Sequence, residues 1–107
     1  MKLSDKRCVP CEGGIPPFSA VQAKRYLKKL KKGWKLDGNK IEKEFKFKDF
    51  VDSMGFANRV ALIAQAEDHH PEIEISYKKV EIELTTHAIG GLSENDFIMA
   101  AKIDLLK

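Results

Sequence analysis

The histidines are the side chains of this sequence best suited to proton transfer, and there are three of them among 107 residues. His69 and His70 are adjacent and directly precede Pro71, whereas His87 follows a run in which apolar and polar residues alternate. An imidazole titrates near neutral pH and can also bind a metal ion. The adjacent histidines are therefore candidate acid–base catalysts, candidate metal ligands or ordinary residues at the end of a helix.

A metal ion shared by His69 and His70 is disfavoured by helix geometry. Neighbouring residues of a helix point about 100° apart, whereas a helical metal-binding pair has the i, i+4 spacing of the His-Glu-x-x-His motif. A closed zinc site would also need two more ligands. Two interpretations of the pair remain. A helix C-terminus favours a cationic side chain for structural reasons, and the same environment suits a histidine that acts as a general acid.

A second group of reactive side chains is the pair Cys8 and Cys11, the two cysteines of the chain, at Cys-x-x-Cys spacing. The pair could form half of a zinc site, but the sequence has no second pair. Thioredoxin-like redox chemistry would place the first cysteine at a helix N-terminus, and the segment EGGIPP follows instead. Cys8 and Cys11 are thus weak metal candidates, and free thiols or a metal site between subunits stay open as alternatives.

The helices that must position these residues are predicted from apolar residues at helical spacing. They span about 19–32, 49–69 and 93–106. In the second helix the predicted apolar row contains Phe50, Met54, Ala57, Ala61 and Ala64, widened by Phe56, Val60 and Ile63. The predicted N-caps are Ser19, Asp49 and Ser93. Residues 1–18 are expected to form an irregular head, because glycine and proline are concentrated there.

Strands are indicated by alternation. Asp37-Gly38-Asn39 predicts the turn of a first hairpin, with Lys43 near the open end of its second strand, and a second pair of strands flanks Lys78-Lys79. His87 then lies where the chain leaves the sheet, and it can face the end of the preceding helix, so the three imidazoles could converge on one pocket. The order α-β-β-α-β-β-α predicts an α+β fold: one domain, residues 1–107, with three helices packed on one face of a four-stranded antiparallel sheet.

The composition is that of a globular protein, with 43% hydrophobic and 33% charged residues and a net charge of +3. This charge is too small to indicate direct nucleic-acid binding. The lysine-rich segment 24–35 is either a solvated helix face or an anion-attracting patch. The sequence contains neither an apolar stretch of the roughly 20 residues that span a membrane nor a secretory signal. A cytoplasmic location with reduced thiols is therefore expected.

The segments HHPEIEISY, KKVEIELTTH and GLSENDF together resemble the pterin-4a-carbinolamine dehydratase family. The family motif is His-His-Pro, an aromatic residue, a histidine ten positions later and an aspartate in the following helix. The matching residues are His69, His70, Pro71, Tyr77, His87 and Asp96. The resemblance runs from about Trp34 to the C-terminus and implies a four-stranded antiparallel sheet backed by helices. It also implies a homodimer or homotetramer.

The resemblance implies a lyase of tetrahydrobiopterin recycling, which removes water from a 4a-hydroxy-tetrahydropterin to give a quinonoid dihydropterin. It implies that His69 and His87 are the acid–base residues and that His70, Pro71 and Asp96 belong to the substrate-binding site. Asp96 either orients His87 or favours the helix N-terminus. Because the reaction moves protons and no electrons, neither a metal nor a redox cofactor is expected.

One departure from the family pattern is Gln65, which stands four residues before His69, where the family usually has a charged residue. An amide can only hydrogen-bond, so the rate or the substrate preference could differ. Some relatives implied by the resemblance act as coactivators or in assembly. The alternative function is therefore a non-catalytic binding or assembly protein on the same fold.

Overall fold

The computed structural model describes residues 2–10 and 13–107 of the chain. A short 3₁₀ helix at Leu3–Asp5 comes first, and a second one lies at His87–Ile89. In the described residues, the helices and strands follow in the predicted order: α1 (Ala20–Leu27), β1 (Lys35–Asp37), β2 (Lys40–Lys46), α2 (Phe50–Glu67), β3 (Glu72–Ser76), β4 (Lys79–Leu84) and α3 (Glu94–Asp104).

The strands form one antiparallel sheet in the order β1-β2-β4-β3. In its middle, Leu84 of β4 lies opposite Ile41 of β2, and Ile82 of β4 lies opposite Ile73 of β3. Because successive side chains of a strand point to opposite faces, these apolar residues share one face of the sheet. That face contributes to a single hydrophobic cluster with the helices. The predicted α+β fold, with the helices packed on one face of the sheet, is confirmed.

Helix α2 buries part of the predicted apolar stripe and exposes the rest. Phe50 is 50% exposed and Met54 is 38% exposed, although both were expected in the core. The buried residues of α2 are Ser53, Phe56, Ala57, Val60 and Ala64. This helix carries apolar side chains around much of its circumference, so their periodicity does not select the side that faces the sheet.

The predicted N-caps are confirmed, but each helix is shorter than predicted. Ser19 and Ser93 complete capping boxes, and the side chain of Asp49 accepts a hydrogen bond from the backbone N–H of Asp52. After Leu27 the chain tightens into turns whose hydrogen bonds reach back three residues, such as Lys29 N to Tyr26 O at 2.9 Å. This tighter winding ends α1 well before residue 32.

Lys43 lies in the middle of β2 and faces the core, not at the open end of the strand as predicted. Its Nζ lies 2.8 Å from Oδ1 of Asp104 at the end of α3, and the two side chains are 13% and 4% exposed. The indole Nε1 of Trp34 donates to the same carboxylate at 3.0 Å. The long lysine side chain is accommodated among apolar residues because its charge has a buried partner.

The head was expected to be irregular, yet Leu3 within its short 3₁₀ helix is 8% exposed and belongs to the core.

The lysine-rich segment 24–35 is solvated, as expected of an ordinary charged surface, since its basic residues are exposed: Lys24, Arg25, Lys28, Lys29, Lys31, Lys32 and Lys35. Among the described residues, no helix combines the length and the apolar content that a membrane crossing requires.

Candidate active site

A cavity of about 510 Å³ lies where α2 ends and where the chain leaves β4, and the three histidines of the sequence all line it. His69 and His70 come from the segment after α2, and His87 begins the second 3₁₀ helix. The convergence expected from the order of the elements is therefore present in the structure. The remaining lining residues come from the head, from the end of α2, from the segment that follows β4 and from α3: Cys8, Val9, Pro10, Glu67, Asp68, Thr85, Thr86, Ala88 and Asn95.

Helix α2 ends two residues earlier than predicted, and this end places His69 outside the helix. Asp68 adopts a left-handed conformation, with φ of 53° and ψ of 40°, which aspartate tolerates better than most residues. The backbone N–H of His69 then donates to the carbonyl of Ala64 at 3.2 Å and closes the helix. Pro71 follows and favours an extended backbone at His70, so the two imidazoles leave the helix end separately.

Asp96 fixes the ring of His69. Oδ1 of Asp96 lies 2.7 Å from Nε2 of His69, and Asp96 has no exposed surface. Its Oδ2 accepts hydrogen bonds from the backbone N–H of Ser93 at 3.0 Å and from the hydroxyl of Thr86 at 2.8 Å. Asp96 therefore completes the capping box of α3 and also holds His69, and its carboxylate is itself held by two donors.

This arrangement selects between the interpretations of Asp96. The expectation that a carboxylate favours the helix N-terminus is confirmed by the capping box at Ser93. The histidine that Asp96 contacts is His69, not His87 as considered in the alternative. Asp96 does not line the cavity, so the implied contact between Asp96 and the substrate stays a prediction.

His70 and His87 are exposed, and both also line a neighbouring cavity of about 250 Å³. Its other lining residues are mostly polar: Asn39, Lys40, Glu72, Glu83, Thr85 and Gly90. Lys40 and Glu83 form an ion pair there, with Nζ 2.8 Å from Oε1. The accessible imidazoles thus lie between two connected regions of surface, whereas His69 is only 12% exposed.

Besides Asp96, three residues singled out in the sequence lie outside the cavity. Pro71 is half-buried and does not line it. Tyr77 is 64% exposed in the turn between β3 and β4, a whole strand away from His70. Gln65 is exposed on α2 and does not line the cavity. The carboxylate that does reach the cavity from this helix is Glu67, so the missing charge at Gln65 does not leave the pocket without an acidic side chain.

The head supplies lining residues that the sequence did not indicate. The backbone N–H of Cys8 donates to Oε1 of Glu67 at 2.8 Å, and Val9 exchanges two hydrogen bonds with the side chain of Asn95. Lys102 lies 3.1 Å from the other oxygen of Glu67. The Cys8 N–H and then Lys102 hold the pKa of Glu67 below its ordinary value, against the opposing effect of burial. These contacts join residues far apart in sequence, so no local motif predicts them.

Cys8 is not an activated thiol in this environment. Burial, reinforced by the negative charge of Glu67, raises the pKa of Cys8 to about 12, whereas a reactive cysteine has a lowered pKa. The structure therefore argues against thioredoxin-like chemistry at Cys8. Cys11, the other half of the Cys-x-x-Cys pair, lies outside the described residues, so the weak metal prediction for the pair stays a prediction.

The sequence matches known proteins along almost its whole length. Relatives from Nitrosomonas eutropha and Nitrosospira multiformis, both provisionally named pterin-4-alpha-carbinolamine dehydratases, are 51% and 53% identical over 104 residues. Each alignment covers 97% of this chain and, respectively, 92% and 91% of the relative. The family model described as pterin 4 alpha carbinolamine dehydratase matches residues 16–106.

Solved structures agree with the sequence comparison. The crystal structure of a transcriptional coactivator/pterin dehydratase from Brucella melitensis superposes with a TM-score of 0.79 and 37% identity, and covers 84% of this chain and 97% of that chain. A pterin dehydratase-like protein described as a RuBisCO assembly factor of the alpha-carboxysome has a TM-score of 0.61 and 25% identity, and covers 69% of this chain and 88% of that one. The chain thus belongs to the pterin 4 alpha carbinolamine dehydratase family.

Proposed function

We propose that this protein is a hydro-lyase that dehydrates a 4a-hydroxy-tetrahydropterin to a quinonoid dihydropterin and water, as a step of tetrahydrobiopterin recycling. The observation that carries the proposal is the cavity lined by His69, His70 and His87, in a chain of the dehydratase family. The cavity volume, about 510 Å³, is within the range of small-molecule sites.

The reaction requires two proton transfers. The bond between ring carbon C4a and the hydroxyl oxygen breaks, and a general acid must protonate the oxygen because hydroxide is a poor leaving group. A general base removes a proton from the pterin ring, and the electron pair left behind forms the new double bond. No net oxidation occurs. Each well-placed imidazole contributes roughly 10²- to 10⁴-fold to such a step.

His69 and His87 are the proposed acid–base residues. An ionised carboxylate can only accept a hydrogen bond, so Nε2 of His69 donates its hydrogen to Oδ1 of Asp96, 2.7 Å away. This contact leaves Nδ1 of His69 as the ring nitrogen that exchanges a proton with the substrate. His87 is exposed at the start of the second 3₁₀ helix, lines the same cavity and supplies the second imidazole.

The remaining residues of the site have supporting roles. His70 lines the cavity with its ring exposed and is proposed to bind the pterin. Pro71 acts through His70, because it restricts the backbone of the preceding residue. Asp96 is proposed to be a positioning residue, since it lies behind His69 and its surface is entirely buried.

The test is turnover of 4a-hydroxy-tetrahydropterin above the uncatalysed rate. Replacement of His69 or His87 by alanine is expected to lower kcat by roughly 10²-fold or more. Tyr77→Phe is the matched control, because Tyr77 belongs to the sequence pattern but lies outside the cavity. Wild-type turnover in folded His69→Ala and His87→Ala proteins would reject the assigned roles.

Self-association is proposed through the exposed face of α2. Val51, Met54 and Leu62 lie on one stripe of this helix and are 76%, 38% and 72% exposed. An apolar surface of this kind is typical of an interaction site. Sedimentation equilibrium should show a dimer or tetramer, and Leu62→Glu should shift the protein towards the monomer.

A second candidate function is assembly or coactivation without catalysis. The descriptions of the two solved relatives favour it, since one is a coactivator/dehydratase and the other a RuBisCO assembly factor. A stoichiometric protein partner captured by the wild type, together with an absence of pterin turnover, would favour this function. A pure scaffold has no need of the buried contact between His69 and Asp96, and that contact favours the enzyme.

A further inference from the structure

We propose that residues 2–10 of the N-terminal head form one wall of the substrate pocket, held in place by hydrogen bonds, and that this wall sets how tightly the pterin binds. Cys8, Val9 and Pro10 line the same cavity as the three histidines. The other end of the head is anchored by Leu3, which is 8% exposed and packs in the core. This inference rests on the proposed dehydratase function and assigns a binding role to a segment outside the histidine pattern.

The side-chain amide of Asn95 holds the backbone of Val9 by pairing with both its N–H and its carbonyl, as a neighbouring strand would. Oδ1 of Asn95 accepts from the backbone N–H of Val9 at 3.0 Å, and Nδ2 of Asn95 donates to the carbonyl of Val9 at 2.5 Å. Asn95 is 4% exposed, so the amide partner of both bonds is buried. A buried reciprocal pair of this kind fixes the backbone of Val9 in position and direction.

Two contacts with acidic side chains hold the residues that precede Val9. Cys8 N–H donates to Glu67 at 2.8 Å, and Glu67 is held in turn by Lys102 at 3.1 Å. Earlier in the head, Nζ of Lys6 lies 2.9 Å from Glu94, the first residue of α3. The head is therefore tied to α2 and α3, the helices that also hold His69.

The wall lies outside the region of this chain that the family model matches. That match begins at residue 16, after Cys8, Val9 and Pro10. The bacterial relatives nevertheless align over 97% of this chain, which includes most of the head. The histidines and Asp96 all lie within the region that the family model matches, so the head adds no further candidate for proton transfer. Its contribution to the pocket is to binding.

The chemistry of the wall suits an uncharged heterocyclic ligand. Burial keeps the Cys8 thiol protonated by raising its pKa to about 12, so this wall presents no charge from the sulfur. Val9 is apolar yet 64% exposed, and a flat ligand in the cavity would cover it. Burial of apolar surface favours binding without direction, so the histidines orient the ring while the head adds affinity.

The experiment compares two exposed aliphatic residues of the N-terminal region. Val9→Ala removes apolar surface from the cavity, whereas Ile15→Ala, at a residue that is 51% exposed and does not line it, is the matched control. Asn95→Ala removes the two hydrogen bonds that hold the backbone of Val9. We expect Val9→Ala and Asn95→Ala to raise KM roughly threefold to tenfold, with kcat changed less than about twofold. Ile15→Ala should leave both constants unchanged.

Alkylation of Cys8 provides a readout that does not depend on turnover. In a Cys11→Ser background Cys8 is the single thiol, and saturating 7,8-dihydrobiopterin, an isomer of the product, should slow its reaction with iodoacetamide. Asn95→Ala should speed the reaction without ligand, because a released head exposes the thiol more often. Unchanged KM in both folded variants, or alkylation that the pterin does not slow, would overturn the role of the head. Absence of turnover in the wild type would instead overturn the proposed function.

Discussion

Nε2 of His69 lies 2.7 Å from Oδ1 of Asp96, a carboxylate whose surface is entirely buried. The same carboxylate caps α3 through the backbone N–H of Ser93 and accepts a hydrogen bond from Thr86. The imidazole proposed as an acid–base group is thereby attached to the first turn of a core helix. This contact distinguishes His69 from the two exposed histidines of the pocket.

Asp96→Asn is expected to lower kcat by roughly 10²-fold or more, comparable to the loss of one acid–base group. The asparagine oxygen can still accept from Ser93 and Thr86, but its amide then faces His69 as a donor and requires Nε2 to be unprotonated. The proton is therefore moved to the wrong ring nitrogen. Steady-state kinetics with a thermal melt will separate this effect from misfolding. Turnover close to the wild-type value in a stable Asp96→Asn protein would contradict the positioning role.

Glu67 should stabilise the protein above its ordinary pKa of 4.5 and lose that contribution in acid. Its pKa is lowered in the folded state, chiefly by the Cys8 N–H, so the unfolded chain binds protons first as the pH falls. The difference in melting temperature between the wild type and Glu67→Gln is expected to be largest above about pH 5 and to shrink below pH 4.5. A difference that is constant from pH 7 to pH 3 would show that the carboxylate charge is not involved.

Asp104→Ala should destabilise the fold by about 3 kcal/mol, because it leaves the buried ammonium of Lys43 without its partner. The same change removes the acceptor of the Trp34 indole N–H. Lys43→Met is expected to cost less, since Asp104 keeps Trp34 and the backbone N–H of Lys31 as donors. Urea unfolding of both variants measures the two free energies. A larger loss in Lys43→Met would reverse this account of which charge depends on the other.

Gly91→Ala should destabilise the protein by about 1–3 kcal/mol, as overpacking does. An added Cβ at Gly91 would lie 2.7 Å from Cβ of Pro17, so the segment before α1 would have to shift. Gly55→Ala, inside α2, is the opposite case. Its Cβ would lie 3.5 Å from the flexible end of Arg59, and alanine should add about 0.5–1 kcal/mol through helix propensity. Chemical denaturation of the pair tests both signs, and a stabilising Gly91→Ala would contradict the close approach.

The fold was predictable where each signal is local. Ser19, Asp49 and Ser93 mark helix starts because their side chains satisfy N–H groups only two or three residues away. The turn at Gly38 and the alternation of Val80, Ile82 and Leu84 likewise depend on near neighbours in sequence. These signals suffice to order the elements and to assign the fold class.

The contacts that complete the site were not predictable because they join distant residues. His69 and Asp96 are 27 positions apart, and Asn95 and Val9 are 86 apart. The sequence pattern included Asp96 but did not indicate which histidine it contacts, and it contained nothing that indicates Asn95. Lys43 was misplaced for the same reason, since its partner Asp104 lies 61 positions away.

The way α2 ends determines when this protein loses activity on heating. The backbone N–H of His69 closes α2, and its ring contacts Asp96 in α3. The side chain proposed to transfer protons therefore links two helices, and any loosening of the packing between α2 and α3 displaces it. When tertiary packing is lost while helices persist, near-ultraviolet circular dichroism decays and the far-ultraviolet signal remains. Turnover on heating should follow the near-ultraviolet signal, so activity in this protein is a sensor of helix packing.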